Sequence, residues 1–498
     1  MSEVNLIDLK GIYKSFYGST ALDGLDFSIG QGEVRSLIGE NGCGKSTAIK
    51  IISGFYTYDS GEVWFNGQLQ KNIKPQDAMR AGIQVIYQDF SLFPNLSVAE
   101  NIMMNNTMLS KGQRVRWNEM RRTADDLLHK ISNTDISSEL LVEDLNVANK
   151  QIVAICRALA QDAKLIIMDE PTSALTYKEI QNLYAIVQNL TERGISVLFV
   201  SHKLDEVKEV SNQVTIMRNG KNVYSGDASS LTRDDMIFHM TGREIIPSNY
   251  LYSRQDDDPV MEVDKLTLEP YFRDISFQLY QGEILGITGL LGCGRSELAK
   301  ALFGVMPYNE GSIRIHGVTA NIKKVSDGIN HGLGYVPEDR LTEGLHLQRS
   351  IGENAIVCVL KNLLTRLKTL DKKRAEETKK KALQRVTIAG LELNKAVQAL
   401  SGGNQQKVLM IKWLELEPDI LILNCPTVGV DVGSRSDLHK IIRRIVEEGI
   451  SVILISDDIP EIIQVCNRVI VMQDGRIMFE TNTADATVSE LENRLIID

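Results

Sequence analysis

Short apolar runs recur along the chain, with longer amphipathic stretches between them. "EVRSLIG" (33 to 39) and "EILGITG" (283 to 289) each lead into a glycine-rich turn followed by apolar residues at helical spacing, which predicts strand, turn, helix. "KLIIMDE" (164 to 170), "SVLFVS" (196 to 201), "DILILNC" (419 to 425) and "SVILIS" (451 to 456) are apolar almost throughout rather than alternating. Runs of that kind suit parallel strands covered by helices on both faces. The stretch between Gln88 and Leu145, with helix-like runs such as "NEMRRTADDLLHKI", is long enough for a helical subdomain, and the second half of the chain has one as well. The expected class is α/β with a mostly parallel, helix-covered sheet.

The pattern is written twice. "GENGCGKSTAIKIISG" (39 to 54) returns as "GLLGCGRSELAKALFG" (289 to 304), and "GIQVIYQDF" (82 to 90) as "GLGYVPEDR" (332 to 340), both displaced by 250 positions. "LSVAEN" (96 to 101) is echoed by "RSIGEN" (349 to 354) at a displacement of 253. "DLNVANKQ" (144 to 151) pairs with "ALSGGNQQ" (399 to 406), and "VLFVSHKLDEV" (197 to 207) with "VILISDDIPEI" (452 to 462), both at 255. Matches in one order at a nearly constant, long displacement mean duplication of a whole domain, not a solenoid. The polar stretch "REIIPSNYLYSRQDDDPV" (243 to 260) has two prolines and no periodicity. The expected division is residues 1–243, a linker at 244–258, and residues 259–498.

Composition narrows this a little. A chain of 498 residues with 43% hydrophobic and 24% charged residues is ordinary for a globular α/β protein of two or three domains. The net charge of -10 argues mildly against general nucleic-acid binding. The acidic start "MSEVNLIDLK" lacks the apolar stretch of a signal peptide, so a cytoplasmic location is expected. No uncharged apolar run approaches the roughly 18 residues needed to span a bilayer, so any membrane connection is expected to go through a partner. The six cysteines form no C-x-x-C pair and accompany no His cluster, which favours reduced thiols over disulfides or zinc.

"GENGCGKS" fits G-x-x-x-x-G-K-[ST] between a strand and a helix, the context that marks a phosphate loop. The candidate nucleotide-binding residues there are Gly39, Glu40, Asn41, Gly42, Cys43, Gly44, Lys45, Ser46 and Thr47. Backbone N–H groups of residues 42 to 46 would cradle phosphates, Lys45 would reach the β and γ oxygens, and Ser46 would ligate Mg²⁺. Phe16 is a candidate to stack on adenine, against the plainer reading of a core aromatic. Asp169 and Glu170 end an apolar strand, where α/β proteins bind ligands. Asp169 would hold Mg²⁺ through water and Glu170 would be the general base on the attacking water; structural turn caps are the alternative. "LSGGNQQKV" (400 to 408) sets Ser401, Gly402 and Gly403 before a helical run, which suits a γ-phosphate presented by the other half; a plain serine N-cap is the alternative. Cys43, beside Lys45, is expected to be accessible, partly ionised and open to alkylation.

With Lys45, Gln88, Ser401, Asp169 with Glu170, and His202, the chain resembles the tandem ATP-binding subunit of an ABC transporter over nearly its full length. It is most similar to the ATPases of ribose, galactose, xylose and arabinose importers, through "GRSE", "VPEDRLTEGL" (336 to 345), "LSGGNQQKV" and "GVDVG" (429 to 433). The resemblance implies two tandem P-loop NTPase domains, each with a mostly parallel sheet core, an antiparallel β part and a helical subdomain. It implies ATP and Mg²⁺ as cofactors, Gln88 as a further Mg²⁺ ligand, and Lys45, Gln88, Glu170 and His202 as the catalytic set. The implied partners are two integral-membrane permease subunits and, through them, an extracytoplasmic solute-binding protein. The implied location is peripheral, on the cytoplasmic face of the inner membrane, with no nucleic acid. The rival is a soluble tandem ATPase acting on ribosomes or nucleic acid, for which a basic linker and two competent sites would be expected; here the linker carries Asp256, Asp257 and Asp258.

Head-to-tail pairing of halves, as in that family, would put Ser401, Gly402 and Gly403 against the first phosphate loop. The second loop would meet "LNVANKQ" (145 to 151), which lacks the Ser-Gly-Gly triplet. That second site has Arg295, Ser296, Glu338, Asn424, Cys425 and Asp457. Arg is a planar fork, not a compact ammonium, Asn424 removes a carboxylate from the Mg²⁺ shell, and Cys425 is a poor base. Binding without efficient hydrolysis is expected there. The basic stretch Lys361 to Arg385 reads as a solvated helical face, with contact to a membrane surface or nucleic acid as the sharper alternative.

Overall fold

The uninterrupted apolar runs become the central strands of two six-stranded sheets. The structure, a computed structural model, describes residues 4–16, 19–71, 73–109, 116–131, 136–172, 175–201, 203–243, 258–290, 292–385, 392–488, 490–491 and 494. Two compact units are present, Met1–Ile245 and Ile246–Asp498. Nearly all of the expected linker, residues 244–257, lies outside the described residues.

In the first unit the larger sheet is ordered Lys221–Asp227, Gln213–Arg218, Val34–Gly39, Ser196–Val200, Leu165–Asp169, Ile83–Ile86. All neighbours are parallel except the edge hairpin formed by the first two. Every residue of Val34–Gly39 and Ser196–Val200 is buried, as a strand covered on both faces requires. A four-stranded antiparallel sheet, ordered Ser19–Ile29, Ile7–Phe16, Ser60–Phe65, Gln68–Gln70, buries its apolar residues in one cluster with Leu37, Ile167 and Leu198 of the larger sheet. The helical subdomain joins Val98–Leu109, Trp117–Ile131 and Val147–Ala160. The second of these buries Met120, Ala124, Leu128 and Ile131, one stripe at helical spacing.

The second unit repeats the plan. Its larger sheet is ordered Leu333–Val336, Ile420–Asn424, Ser451–Ile455, Ile284–Gly289, Arg468–Gln473, Arg476–Asn482, again parallel up to an antiparallel edge hairpin. Its antiparallel sheet is ordered Phe272–Leu279, Met261–Leu268, Glu310–Ile315, Val318–Ala320. Among the described residues no helix is long and apolar enough to cross a membrane. The six cysteines are unpaired.

Phe303 anchors the second core, 1% exposed, stacked on Tyr335 at 5.2 Å and edge-on to Trp413 at 5.2 Å. Phe303→Ala should lower the stability of this unit by about 3–5 kcal/mol, because the sheet and helix around it cannot close the gap. Urea unfolding followed through Trp413 emission measures it, and a loss below about 1 kcal/mol would contradict the packing described.

Candidate functional site

The strand Val34–Gly39 ends where the chain must turn into the helix Lys45–Ile52. A Cβ on Gly39 would lie 2.4 Å from the Met217 carbonyl oxygen, and one on Gly44 2.6 Å from that of Ala21. Gly44 also has φ 108°, so steric and conformational demands coincide at the helix entry. At these two positions only glycine lets the loop pass this close to its neighbours. Lys45 is 8% exposed, and its ammonium donates to the carbonyls of Gly39 (2.7 Å) and Glu40 (3.0 Å). Ser46, Asn41 and Gly42 are exposed, and Glu40 and Thr47 half-buried.

Cys43 departs from expectation. It is 5% exposed, and burial raises its thiol above the ordinary value, outweighing the opposing Lys45 charge. The side chain turns inward against Gly39, where a Cβ would meet its sulfur at 2.6 Å. Neither accessibility nor partial ionisation is found.

Asp169 closes the strand Leu165–Asp169. Burial first, and then the adjacent Glu170 charge, raise its carboxyl above the usual range, while Lys45 and Lys50 oppose the shift. Glu170 follows at φ 49°, a left-handed conformation that costs a non-glycine residue about 1–3 kcal/mol, with its N–H on the Val200 carbonyl at 2.9 Å. Gln88, just past the strand Ile83–Ile86, lines one small cleft with Asp169 and Glu170. His202 lies outside the described residues; Ser201 before it is buried and donates to Glu206 at 2.8 Å. Phe16 is half-buried at the end of its strand, edge-on to Tyr56 at 5.2 Å, with the Lys14 ammonium 5.2 Å from its ring centre.

The second unit builds the same turn with other groups. Arg295, 6% exposed, donates to the carbonyls of Gly289 and Leu290, and it faces Asp457 at 3.8 Å. The Ser296 hydroxyl reaches the Glu338 carboxylate at 3.1 Å and the Asn424 amide oxygen at 3.4 Å. Asn424 is fully buried, and its amide nitrogen has no hydrogen-bond partner among the described residues. Cys425 keeps the left-handed backbone of Glu170, at φ 48°, with its N–H on the Ile455 carbonyl at 2.8 Å. Burial, with smaller contributions from Glu338 and Asp457, pushes its thiol up to about 12. A neutral, buried thiol cannot serve as a base on water.

The two "LNVANKQ" and "LSGGNQQ" helices differ at their first residue. Asn146 caps the helix Val147–Ala160 by accepting from the Asn149 N–H at 2.8 Å. Ser401 holds the N-cap position of Gly402–Leu414, yet it is exposed and its side chain makes no capping bond. The simple serine cap is therefore not what the structure contains.

Around that helix start lie residues to which sequence reasoning assigned no role. Arg340 donates to the carbonyls of Val428 (2.8 Å) and Gly429 (3.4 Å) and to the Gln405 amide oxygen (3.4 Å), which joins "VPEDRLTEGL", "GVDVG" and "LSGGNQQ". A Cβ on Gly402 would lie 2.8 Å from the Arg340 guanidinium, and one on Gly403 2.2 Å from the Ser434 hydroxyl. Ser434 is fixed by Asp431, which accepts from its N–H (2.8 Å) and hydroxyl (2.9 Å). Behind them the buried Glu461 carboxylate gathers Thr427 (3.0 Å), Ser456 (2.7 Å) and His439 (2.8 Å). Burial would raise that carboxyl, but the His439 and Ser456 bonds hold it below its ordinary range. Arg340, Gln405, Asp431, Ser456 and Glu461 stand in the repeat and motif segments, whereas Thr427, Val428, Ser434 and His439 lie outside them, and His439 shares its buried helix face with Arg443 as well as with apolar residues.

The sequence profile of the family described as "ABC transporter" matches residues 22–173 and 272–428. A protein named "Ribose import ATP-binding protein RbsA" from Clostridium perfringens is 38% identical over 97% of this chain and 96% of its own length. A "Putative ribose/galactose/methyl galactoside import ATP-binding protein 1" from Burkholderia cenocepacia is 38% identical over 97% of this chain and 92% of its own. A similarly named protein from Geobacillus kaustophilus is 37% identical over 98% and 97%.

Two outcomes are expected. Iodoacetamide should label Cys43 more slowly than a free model thiol near neutral pH, with the rate climbing only above the ordinary thiol value of 9.0, as peptide mapping would reveal. Gly403→Ala should cost about 1–3 kcal/mol by displacing Ser434, and adding Ser434→Gly should recover part of it. Thermal unfolding of the single and double variants measures both; strictly additive losses would sink the contact.

Proposed function

The chain belongs to the ABC transporter family of ATP-binding proteins, and from that premise we propose that it is the ATP-hydrolysing subunit of an importer for ribose, galactose or a related small polar solute. The observation that carries the reading is the contrast between the units. The first has a bare phosphate loop with a lysine, and a cleft that gathers Gln88, Asp169 and Glu170. The second keeps the same turn with Arg295, Asn424 and a neutral Cys425. One unit is equipped to hydrolyse and the other to hold nucleotide.

The residues of the first unit suit ATP with Mg²⁺. The loop turns tightly at Gly39 and Gly44 into a helix N-terminus, where phosphates would lie, and Lys45 can exchange its two carbonyl partners for phosphate oxygens. Ser46, Gln88 and, through water, Asp169 would hold Mg²⁺, which neutralises phosphate charge when bound. Lys45 binds and orients the phosphates. Glu170 takes the proton of the attacking water, and His202 is assigned to the γ-phosphate side of the same water. Ser401, with Gly402 and Gly403, donates to the γ-phosphate from the second unit, a role that its uncapped hydroxyl supports. Arg295, Ser296, Glu338, Asn424 and Asp457 form the holding site. ATP binding draws the halves together and hydrolysis releases them. The motion passes to two permease subunits served by an extracytoplasmic binding protein, with this chain peripheral on the cytoplasmic face of the membrane.

Glu170→Gln should lower ATP turnover of the assembled transporter at least about a hundredfold while ATP binding persists, since it removes the base and leaves the loop. Cys425→Ala should change turnover little, and Asn424→Asp with Cys425→Glu should not create a second full-speed site, because Arg295 and Asp457 remain. Steady-state phosphate release at saturating solute measures all three. Substantial turnover in Glu170→Gln that vanishes when Cys425→Ala is added would overturn the assignment.

A further inference from the structure

The basic stretch "KNLLTRLKTLDKKRAEETKKKALQR" (361 to 385) is left unused by this reading. It carries ten Lys and Arg against Asp371, Glu376 and Glu377, in a chain whose net charge is -10. Its fold adds what the charge count lacks. Leu364 and Leu370 pair as an antiparallel bridge, the Thr365 N–H reaches the Thr369 carbonyl at 2.8 Å, and the two threonine hydroxyls meet at 2.9 Å. The result is a tight hairpin with Leu367 at its tip, 85% exposed, between Arg366 and Lys368. Leu364 and Leu370 are 40% and 43% exposed below it.

This prominence is held from beneath. Ile356, Val359, Leu363 and Ala375 form a small buried cluster of their own under the hairpin, and the Asp371 N–H returns to the Leu363 carbonyl at 2.9 Å. The helix Lys372–Arg385 follows, burying Ala375 and Ala382, keeping Thr378, Lys379, Leu383 and Arg385 half-buried, and exposing Lys372, Lys373 and Arg374 in its first turn. Asp371 is spent on the helix start, accepting from the Lys373 and Arg374 N–H groups at 3.1 Å each. Among the described residues no carboxylate pairs with the side chains of Lys372, Lys373 or Arg374. A single exposed leucine needs no explanation, but several on one anchored projection rimmed by unpaired cations do.

We propose that the hairpin 364–370 and the first turn of Lys372–Arg385 form a docking surface for an anionic phospholipid bilayer. Headgroup phosphates take the cations while Leu367, flanked by its own basic neighbours, enters the acyl boundary. A nucleic acid would match the charge but leave the leucines in water, so the bilayer accounts for both halves of the surface. The contact is weak and reversible, an addition to attachment through a permease and independent of it. It does not rest on the assignment of the catalytic residues.

The test is flotation of the full-length protein, without permease, with phosphatidylcholine–phosphatidylglycerol vesicles and with phosphatidylcholine vesicles. Binding is expected to the mixed vesicles only and should fall as salt rises. Neutralising Lys372, Lys373 and Arg374 to Gln should weaken it about a hundredfold, at roughly fivefold per charge, and Leu367→Ser about tenfold. All four positions are exposed, and circular dichroism checks that the variants fold. Equal binding to both vesicle types, no binding to either, or insensitivity to both variants would overturn the proposal. So would binding that ignores Leu367→Ser while a duplex oligonucleotide competes it away, the behaviour of a general polyanion surface.

Discussion

A fully buried parallel strand has to become a helix within about two turns' length, and its backbone passes so close to neighbouring carbonyls that no side chain fits. At Gly39 and Gly44 the obstacles are the Met217 and Ala21 carbonyls, and at Gly289 and Gly294 they are those of Met472 and Tyr271. Each unit answers with a long cation at the first helical position, folded back onto the carbonyls that end the strand. That geometry leaves a bare loop at a helix N-terminus, where an anion is favoured by orphan N–H groups and the helix dipole together. The strand ends that carry Asp169 and Asn424 lie in the same sheets as these turns, at the carboxyl ends of parallel neighbours.

The backbone has been kept where the chemistry has not. Glu170 and Cys425 occupy the same left-handed conformation, each tied by its N–H to the end of the next strand. On the proposed reading Glu170 is the base, and the strain at its position recurs at Cys425, a buried thiol that cannot act as one. Asn424, in the place that Asp169 holds in the first unit, is a fully buried amide that offers no carboxylate. On the proposed reading, such retention fits a turn that still serves as a binding loop.

Much of this was legible in the sequence because it depends on local pattern. The runs "EVRSLIG" and "KLIIMDE" became Val34–Gly39 and Leu165–Asp169, and "NEMRRTADDLLHKI" lies within Trp117–Ile131. Apolar periodicity and glycine placement are enough for elements of that kind. The orientation of single side chains was not legible. Cys43 sits beside a lysine in sequence, but the loop's tight passage past Gly39 turns its sulfur inward, where burial outweighs the charge. Ser401 and Asn146 hold equivalent helix starts, yet only the asparagine closes its own cap. Arg340 reaches partners in two segments far along the chain, Gln405 and Val428 with Gly429, and no local rule announces a contact of that range.

On the proposed reading the second unit loses one role and keeps another, and these long-range contacts serve the one it keeps. Its own phosphate loop depends on Arg295, Ser296 and the end of Ile420–Asn424, which are joined by a few bonds at one point of the sheet. The start of the Gly402–Leu414 helix depends on a different set: Arg340, Asp431 with Ser434, and behind them the Glu461 cluster. In that cluster Thr427 and Ser456 share one oxygen of the buried Glu461 carboxylate and His439 holds the other, so losing His439 would leave a desolvated acceptor. On the proposed reading, Ser401, Gly402 and Gly403 serve the nucleotide of the first unit. Substitutions at Arg295, Asn424 and Cys425 then alter only the second unit's own nucleotide, whereas a substitution at Arg340, Gly403 or Ser434 would be felt in the unit that hydrolyses. Separate supports for the two functions of one domain are the physical condition under which a duplicated ATPase can keep a single engine.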